Sequence, residues 1–192
     1  ATASLVVYSS FLDQIFFVGD CQAAFVNHKD EITNAIQPTK YNDQVMSSAR
    51  SMYLQLEIAK GKTEEELRSD PEDEGRTFIQ PLLVGQKMFQ NNPDAPAAHR
   101  YWTMDGFPIS DSGIETYDVP LDTKHIILAS DGYPTLFPSL EKTEEDLMTI
   151  IQEDPLMFDK HLSTKGVRPG AESFDDRTYV CIDIRKNIYE RK

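Results

Sequence analysis

Asp131 stands behind the apolar run Ile126-Ile127-Leu128 and the small pair Ala129-Ser130, just ahead of Gly132 and Pro134. An apolar run of that length, closed by glycine and proline, reads as a buried strand that stops abruptly with a carboxylate at the edge of the core. Taken alone, Asp131-Gly132 reads first as a tight turn, because Asp-Gly is a favoured turn dipeptide. The arrangement recurs elsewhere. Ile15-Phe16-Phe17-Val18 runs into Gly19-Asp20, and Ser173-Phe174-Asp175-Asp176-Arg177 opens a strand-like run that starts at Thr178. Carboxylates at three strand edges, Asp20, Asp131 and Asp175, suit a hard cation such as Mg²⁺ or Mn²⁺, which takes oxygen ligands and keeps several waters.

Around these three, Gly132, Asp176 and Arg177 are the neighbours that could support a metal or face a phosphate, with Asp176 either an outer acceptor or a strand cap. Arg177 and Lys165 are the nearest side chains for neutralising phosphate charge, and both read equally as solubilising surface residues. The histidines, His28, His99, His125 and His161, fall in no ligand spacing and read as structural or surface groups. No side chain is assigned as a catalytic nucleophile, acid or base.

The order Val18-Gly19-Asp20-Cys21, then Ala129-Ser130-Asp131-Gly132, then Ser173 to Thr178 before a final strand, resembles the metal-dependent protein serine/threonine phosphatases of type 2C. The opening residues 1–7, Ala-Thr-Ala-Ser-Leu-Val-Val, are similar to the strand that precedes them in that family. The resemblance implies an antiparallel β-sandwich flanked by helices. It also implies Asp131 and Asp175 as metal ligands, Asp20 at an additional, weaker metal position, and a phosphorylated protein as substrate. In such a site two ions about 4 Å apart hold the phosphoryl oxygens and lower the pKa of a bridging water that attacks phosphorus. Residues 43–92 correspond to the family's variable flap, and read equally as a helical layer packed on the sheet.

Two departures accompany the resemblance. The family's Asp-Gly-His-Gly segment, with its bridging aspartate and histidine acid, does not occur in the chain, nor do the upstream acidic and arginine residues. Thr135 stands four residues after Asp131, where many members carry another aspartate. The expectation is a single, partial phosphatase-like domain over residues 1–192, the C-terminal two-thirds of a catalytic domain, nearly inactive in isolation. The alternative is a catalytically inactive regulatory or phosphoprotein-binding domain. A haloacid-dehalogenase-type phosphatase is excluded because the nucleophile position two before Asp131 is Ala129, and a kinase because no glycine-rich loop or strand lysine occurs in context.

The bulk properties agree with a single α+β domain. A chain of 192 residues with 40% apolar side chains can bury a sizeable core. The formal charge of −13 argues against nucleic-acid backbones and anionic membranes as partners. With two distant cysteines and neither a signal-like start nor a long apolar segment, the expected setting is cytoplasmic with reduced thiols. Exposed strand edges make a homodimer an open expectation.

The elements follow from periodicity. Strands are expected at 4–8, 15–18 and 22–27 as one antiparallel sheet, with a turn at 9–14. Val45, Ala49, Met52, Leu56 and Ala59 recur at steps of three and four and predict an amphipathic helix from 43 to 61. Met46, Met52 and Tyr53 read as core. Thr63 and Glu66 form a capping box, the acidic run 70–74 reads as a mobile or solvated stretch, and a further helix carries Pro81 in its first turn. Residues 101–109 read as a hairpin turned at Asp105-Gly106, with Trp102 as an anchor. Strands follow at 115–119 and 125–129, then a helix capped by Thr143 and stopped at Asp154-Pro155. Residues 156–170 form a loop or short helix bearing Lys160, His161, Lys165 and Arg168, ahead of a last strand at 178–184.

Overall fold

The computed structural model describes residues 2–184; Ala1 of the opening run 1–7 and the charged tail 185–192 lie outside the described residues. Seven strands and four helices follow in order: β1 (Leu5–Ser9), β2 (Gln14–Val18), β3 (Gln22–Asn27), β4 (Ile32–Ile36), α1 (Tyr41–Ala59), α2 (Glu64–Ser69), α3 (Glu74–Gly85), β5 (Glu115–Asp118), β6 (Thr123–Ala129), α4 (Leu140–Glu153) and β7 (Tyr179–Asp183). Two antiparallel sheets result, ordered β1-β2-β5 and β4-β3-β6-β7, so the chain is a mixed α+β fold with helices flanking the sheets. Among the described residues no helix is long and apolar enough to cross a membrane.

The period-two alternation of the strands explains how the layers stack. Ile15 and Phe17 of β2 meet Ala23 and Phe25 of β3 and Ile126 of β6, so the two sheets share one core. The alternate residues Ala24 and Val26 of β3 and Ile127 and Ala129 of β6 pack instead with Leu147 of α4 and with Tyr133 and Leu136. β3 and β6 are therefore buried on both faces, which is why they read as continuous apolar runs.

Several expectations are corrected here. The first three strands do not form one sheet: β1 and β2 pair with each other, and the chain crosses at residues 19–21 into the second sheet, where β3 pairs with β4 and β6. β4, with its mixed sequence Ile-Thr-Asn-Ala-Ile, is an additional strand. The expected hairpin at 101–109 is absent. Met104 makes only an isolated bridge to Ala3, and Asn91 pins Thr103 by donating from Nδ2 to its carbonyl and accepting from its N–H, both at 2.9 Å. Trp102 is half-buried and packs on Gly113.

The helices depart from expectation in instructive ways. α1 turns the predicted apolar stripe outward, leaving Val45, Leu56 and Met52 exposed, the last at 59%, while Asn42, Met46, Ser47, Arg50, Ser51 and Leu54 face inward. The capping box at Thr63 and Glu66 forms as expected at α2. The acidic run before α3 is no free loop: Asp73 caps α3 by accepting from the Arg76 N–H and pairs with the buried Arg50 at 2.8 Å. α3 thereby starts at Glu74, which places Pro81 in the helix interior and not in its first turn. Ser139, not Thr143, caps α4; Thr143 is fully buried and donates to the Ser139 carbonyl at 2.9 Å.

Candidate functional site

The position of Asp131 follows from strand pairing. β3 and β6 run antiparallel with Gln22 opposite Ala129, so continuing that register by two residues brings the Asp20 turn opposite Asp131. On its other side β6 pairs with β7, Ala129 opposite Tyr179, which brings the segment before β7 alongside the same strand end. Asp131-Gly132 forms a turn, but one that leads toward α4 and not into a hairpin.

Specific contacts hold this junction. Gln22, nearly fully buried, donates from Nε2 to the carbonyls of Ser130 at 3.0 Å and Tyr133 at 2.7 Å, bracketing Asp131. Ser130 exchanges bonds with Thr178, donating its N–H to the carbonyl at 3.1 Å and accepting the Thr178 N–H on Oγ at 2.9 Å. Gly132 lies directly on the carbonyl of Asp176, where an added Cβ would overlap the oxygen and approach the Arg177 Cβ to 3.0 Å. The glycine is thus required by backbone approach. Gly132→Ala is expected to cost about 1–3 kcal/mol by overpacking and to displace residue 176; denaturant unfolding and the amide spectrum of 175–178 check it.

Asp20, Asp131 and Asp175 all line one pocket of about 280 Å³, together with Lys40, Asp43 and Thr164. Asp131 feels both other carboxylates. Its carboxyl is lifted to about 6, first by the protein packed around it and then by the charges of Asp20 and Asp175. Cys21, between the two strand ends, is pushed up to about 11 by burial and then by Asp20 and Asp131. Both Cys21 and Cys181 are free thiols.

Two lysines answer these charges. Lys40 contacts Asp20 Oδ2 at 2.5 Å, and Ser4 Oγ donates to Asp20 Oδ1. Burial alone would raise the Asp20 carboxyl, but Lys40 and Ser4 outweigh it and hold it below the ordinary carboxylate value. Lys165, from the loop before β7, contacts Asp175 Oδ1 at 2.5 Å. Asp43 is raised, by burial first, with Asp20 adding to it against Lys40.

Asp176 and Arg177 stand apart from this pocket and line a larger one of about 820 Å³ beside it. Arg177 is committed to Glu144 of α4 through Nε–Oε1 and Nη2–Oε2 bonds, both 2.9 Å, which fasten the start of β7 to that helix. The sequence reading missed Lys40 and Asp43; the signal was a lysine at the cap position of α1, where Ser, Thr, Asp or Asn is usual.

The donor set fits a hard cation in chemical type and charge: oxygen ligands only, with one carboxylate held in an unfavourable anionic field. Its geometry is looser. Among the described residues no group of three or more His, Cys, Asp or Glu side chains is placed to hold a metal ion, and two of the three carboxylates are ion-paired with Lys40 and Lys165.

The raised Asp131 carboxyl has a direct consequence for stability. The folded state binds this proton more tightly than the unfolded chain, whose carboxyl titrates near 3.8. The stabilisation is complete below about pH 4 and disappears as pH rises through about 6. Asp131 keeps an exposed edge, so solvent screening reduces the effect to about 1 kcal/mol. Asp131→Asn should therefore be the more stable protein at pH 7 in the absence of divalent ions and equal to wild type at pH 4, as read from urea midpoints.

No protein-family model matches the chain, and neither the curated proteins nor the solved structures contain a match to it.

Proposed function

We propose that this chain is part of a metal-dependent phosphatase domain of the type 2C kind, a β-sandwich with flanking helices, which hydrolyses phosphoserine or phosphothreonine in proteins. The observation that supports the reading is the convergence of Asp20, Asp131 and Asp175 on one pocket, from strand ends far apart in sequence. Asp131 and Asp175 would hold Mn²⁺ or Mg²⁺, with Asp20 beside them; when bound, such an ion supplies an activated water and charge for the phosphoryl oxygens.

The chain's own residues do the positioning. Gln22 fixes the turn that presents Asp131, Ser4 and Lys40 orient Asp20, and Gly132 allows the segment bearing Asp175 to close against β6. Arg177, tied to Glu144, braces that segment and leaves phosphate neutralisation to other groups.

A second reading, a phosphatase-like regulatory or phosphoprotein-binding domain without turnover, is favoured by one feature: ammonium groups already sit on two of the three carboxylates. Hydrolysis of a phosphothreonine peptide and a small aryl phosphate separates the two, measured for these 192 residues and for the product of the full reading frame. Mn²⁺-dependent turnover by the full product, lost in Asp131→Asn and Asp175→Asn, is the expected result, with the 192 residues alone nearly inactive. Turnover that survives loss of both carboxylates contradicts the assignment, and cation-dependent peptide binding without turnover favours the second reading.

A further inference from the structure

The outer face of α1 carries a pattern that a solvated helix does not need. Val45, Ala49, Met52 and Leu56 recur at steps of four, three and four, the seam of a helix that packs on another helix. Val45, Met52 and Leu56 nevertheless stand open to solvent among the described residues. The neighbouring helix extends the surface. Gly75 lets α3 lie against Arg50 and Leu54, and Tyr53 stacks on Phe78 with ring centres 4.6 Å apart. Phe78 and Leu82 of α3 are themselves half-exposed.

This surface is stripped of charge. Residues 44–56 contain one charged side chain, Arg50, which is fully buried, and residues 77–86 contain none, in a chain where 27% of residues are charged. Charge depletion marks the core of a protein interface. At a net charge of −13 two copies repel each other over most of their surface, and an uncharged face is where they can meet. The seam is also complementary to itself. Antiparallel packing on α1 of a second copy sets Val45 opposite Leu56 and the small Ala49 opposite the large Met52. Each pair then occurs twice about a two-fold axis, as an isologous interface requires. The half-exposed large side chains of α1 and α3 offer about 500 Å² of apolar surface per chain. With Ala49 and a polar rim added, that reaches the small end of stable interfaces, about 600 Å² per partner.

We propose that this face holds a second copy of the chain, in a two-fold dimer whose protomers pack α1 and α3 together as a four-helix layer. The interface is a helix face and not a strand edge, and it stands independently of the phosphatase reading. The test is sedimentation velocity of the product of the full reading frame, from about 1 to 100 µM, for wild type, Met52→Glu and Leu82→Glu. Wild type should dimerise with a micromolar dissociation constant, as fits an interface of this size, and more tightly at high salt, which screens the like charges. Both variants should weaken the dimer by at least about 100-fold, because each buries an unpaired carboxylate at the interface.

Both substitutions lie at solvent-exposed positions and should leave the circular dichroism spectrum and melting temperature unchanged. If Met52→Glu fails to fold, Leu82→Glu decides. The pairing is read separately by cysteine cross-linking, with Cys21→Ser and Cys181→Ser as background. Oxidising a mixture of Ala49→Cys and Met52→Cys chains should link position 49 of one copy to position 52 of the other, in preference to either like pair. A wild type that stays monomeric at about 100 µM, or a dimer that both glutamate variants leave intact, overturns the proposal. Like pairs that predominate overturn the antiparallel arrangement on which it is built.

Discussion

Asp73→Ala should cost about 3–5 kcal/mol and lower the melting temperature by roughly 10 °C, because it strands a buried guanidinium. Arg50 is 0% exposed and is the largest of the fully buried side chains. Its Nε and Nη2 donate to the Asp73 carboxylate, the latter at 2.8 Å, and its Nη1 donates to the carbonyls of Met157 and Ser163 at 3.1 and 3.2 Å. One side chain thus joins α1, the start of α3 and the loop that carries Lys165. Asp73 also caps α3 and accepts the Gly166 N–H at 2.9 Å, so its loss releases three partners together. The double variant Arg50→Met with Asp73→Ala should recover part of the loss, since it removes the charge as well as its counter-ion. Urea unfolding of the three variants checks this, and a double variant no more stable than Asp73→Ala alone contradicts the role given to the buried charge.

Asp154→Ala is expected to cost about 3 kcal/mol through unmade hydrogen bonds to backbone donors. The Asp154 side chain is only 3% exposed and accepts four consecutive backbone N–H groups: Phe158 on Oδ1 at 3.1 Å, and Asp159, Lys160 and His161 on Oδ2 at 3.0, 2.9 and 3.1 Å. This carboxylate substitutes for a helix or strand in a stretch with neither, and it allows Met157 to adopt a left-handed backbone with φ of 50°. Hydrogen exchange at those four amides should accelerate by about 100-fold in the variant, the equivalent of that free energy. Exchange that stays at the wild-type rate would show that the loop is held by its side-chain packing instead.

Asp154 and Asp73 also show where sequence reasoning stops. The strands β2, β3 and β6 were legible because long-range burial leaves a local trace, an apolar run bounded on one side by Gly-Asp or Asp-Gly. The carboxylates at those ends were legible for the same reason. α1 was legible as a helix but not in its orientation, because the face turned inward carries Arg50 and Ser51, whose partners lie more than 20 residues away in the chain, and Ser47, which donates within the helix to the Gln44 carbonyl. β4 escaped notice since Thr33 and Asn34 interrupt its apolar pattern, and residues 101–104 mimicked a strand although Asn91 takes up the bonds a ladder would use.

The candidate site shows the same division. The β3–β6 register that sets Asp20 opposite Asp131 depends on pairing between segments about a hundred residues apart. Arg177 seemed free to meet a phosphate until α4 supplied Glu144, and Lys40 had no meaning until the pocket it neutralises had formed. Patterns within a few residues survive in sequence, whereas charge compensation across the fold does not.

The melting temperature as a function of Mn²⁺ concentration at pH 7.5, for wild type, Asp131→Asn and Asp175→Asn, probes the acidic pocket most directly. A cation held by these carboxylates should raise the wild-type value by about 5–10 °C at one hundred times its dissociation constant, equivalent to roughly 2.7 kcal/mol, and should leave both variants unmoved. A wild type indifferent to Mn²⁺, or variants that rise with it, would contradict the convergence of Asp20, Asp131 and Asp175 as a cation site.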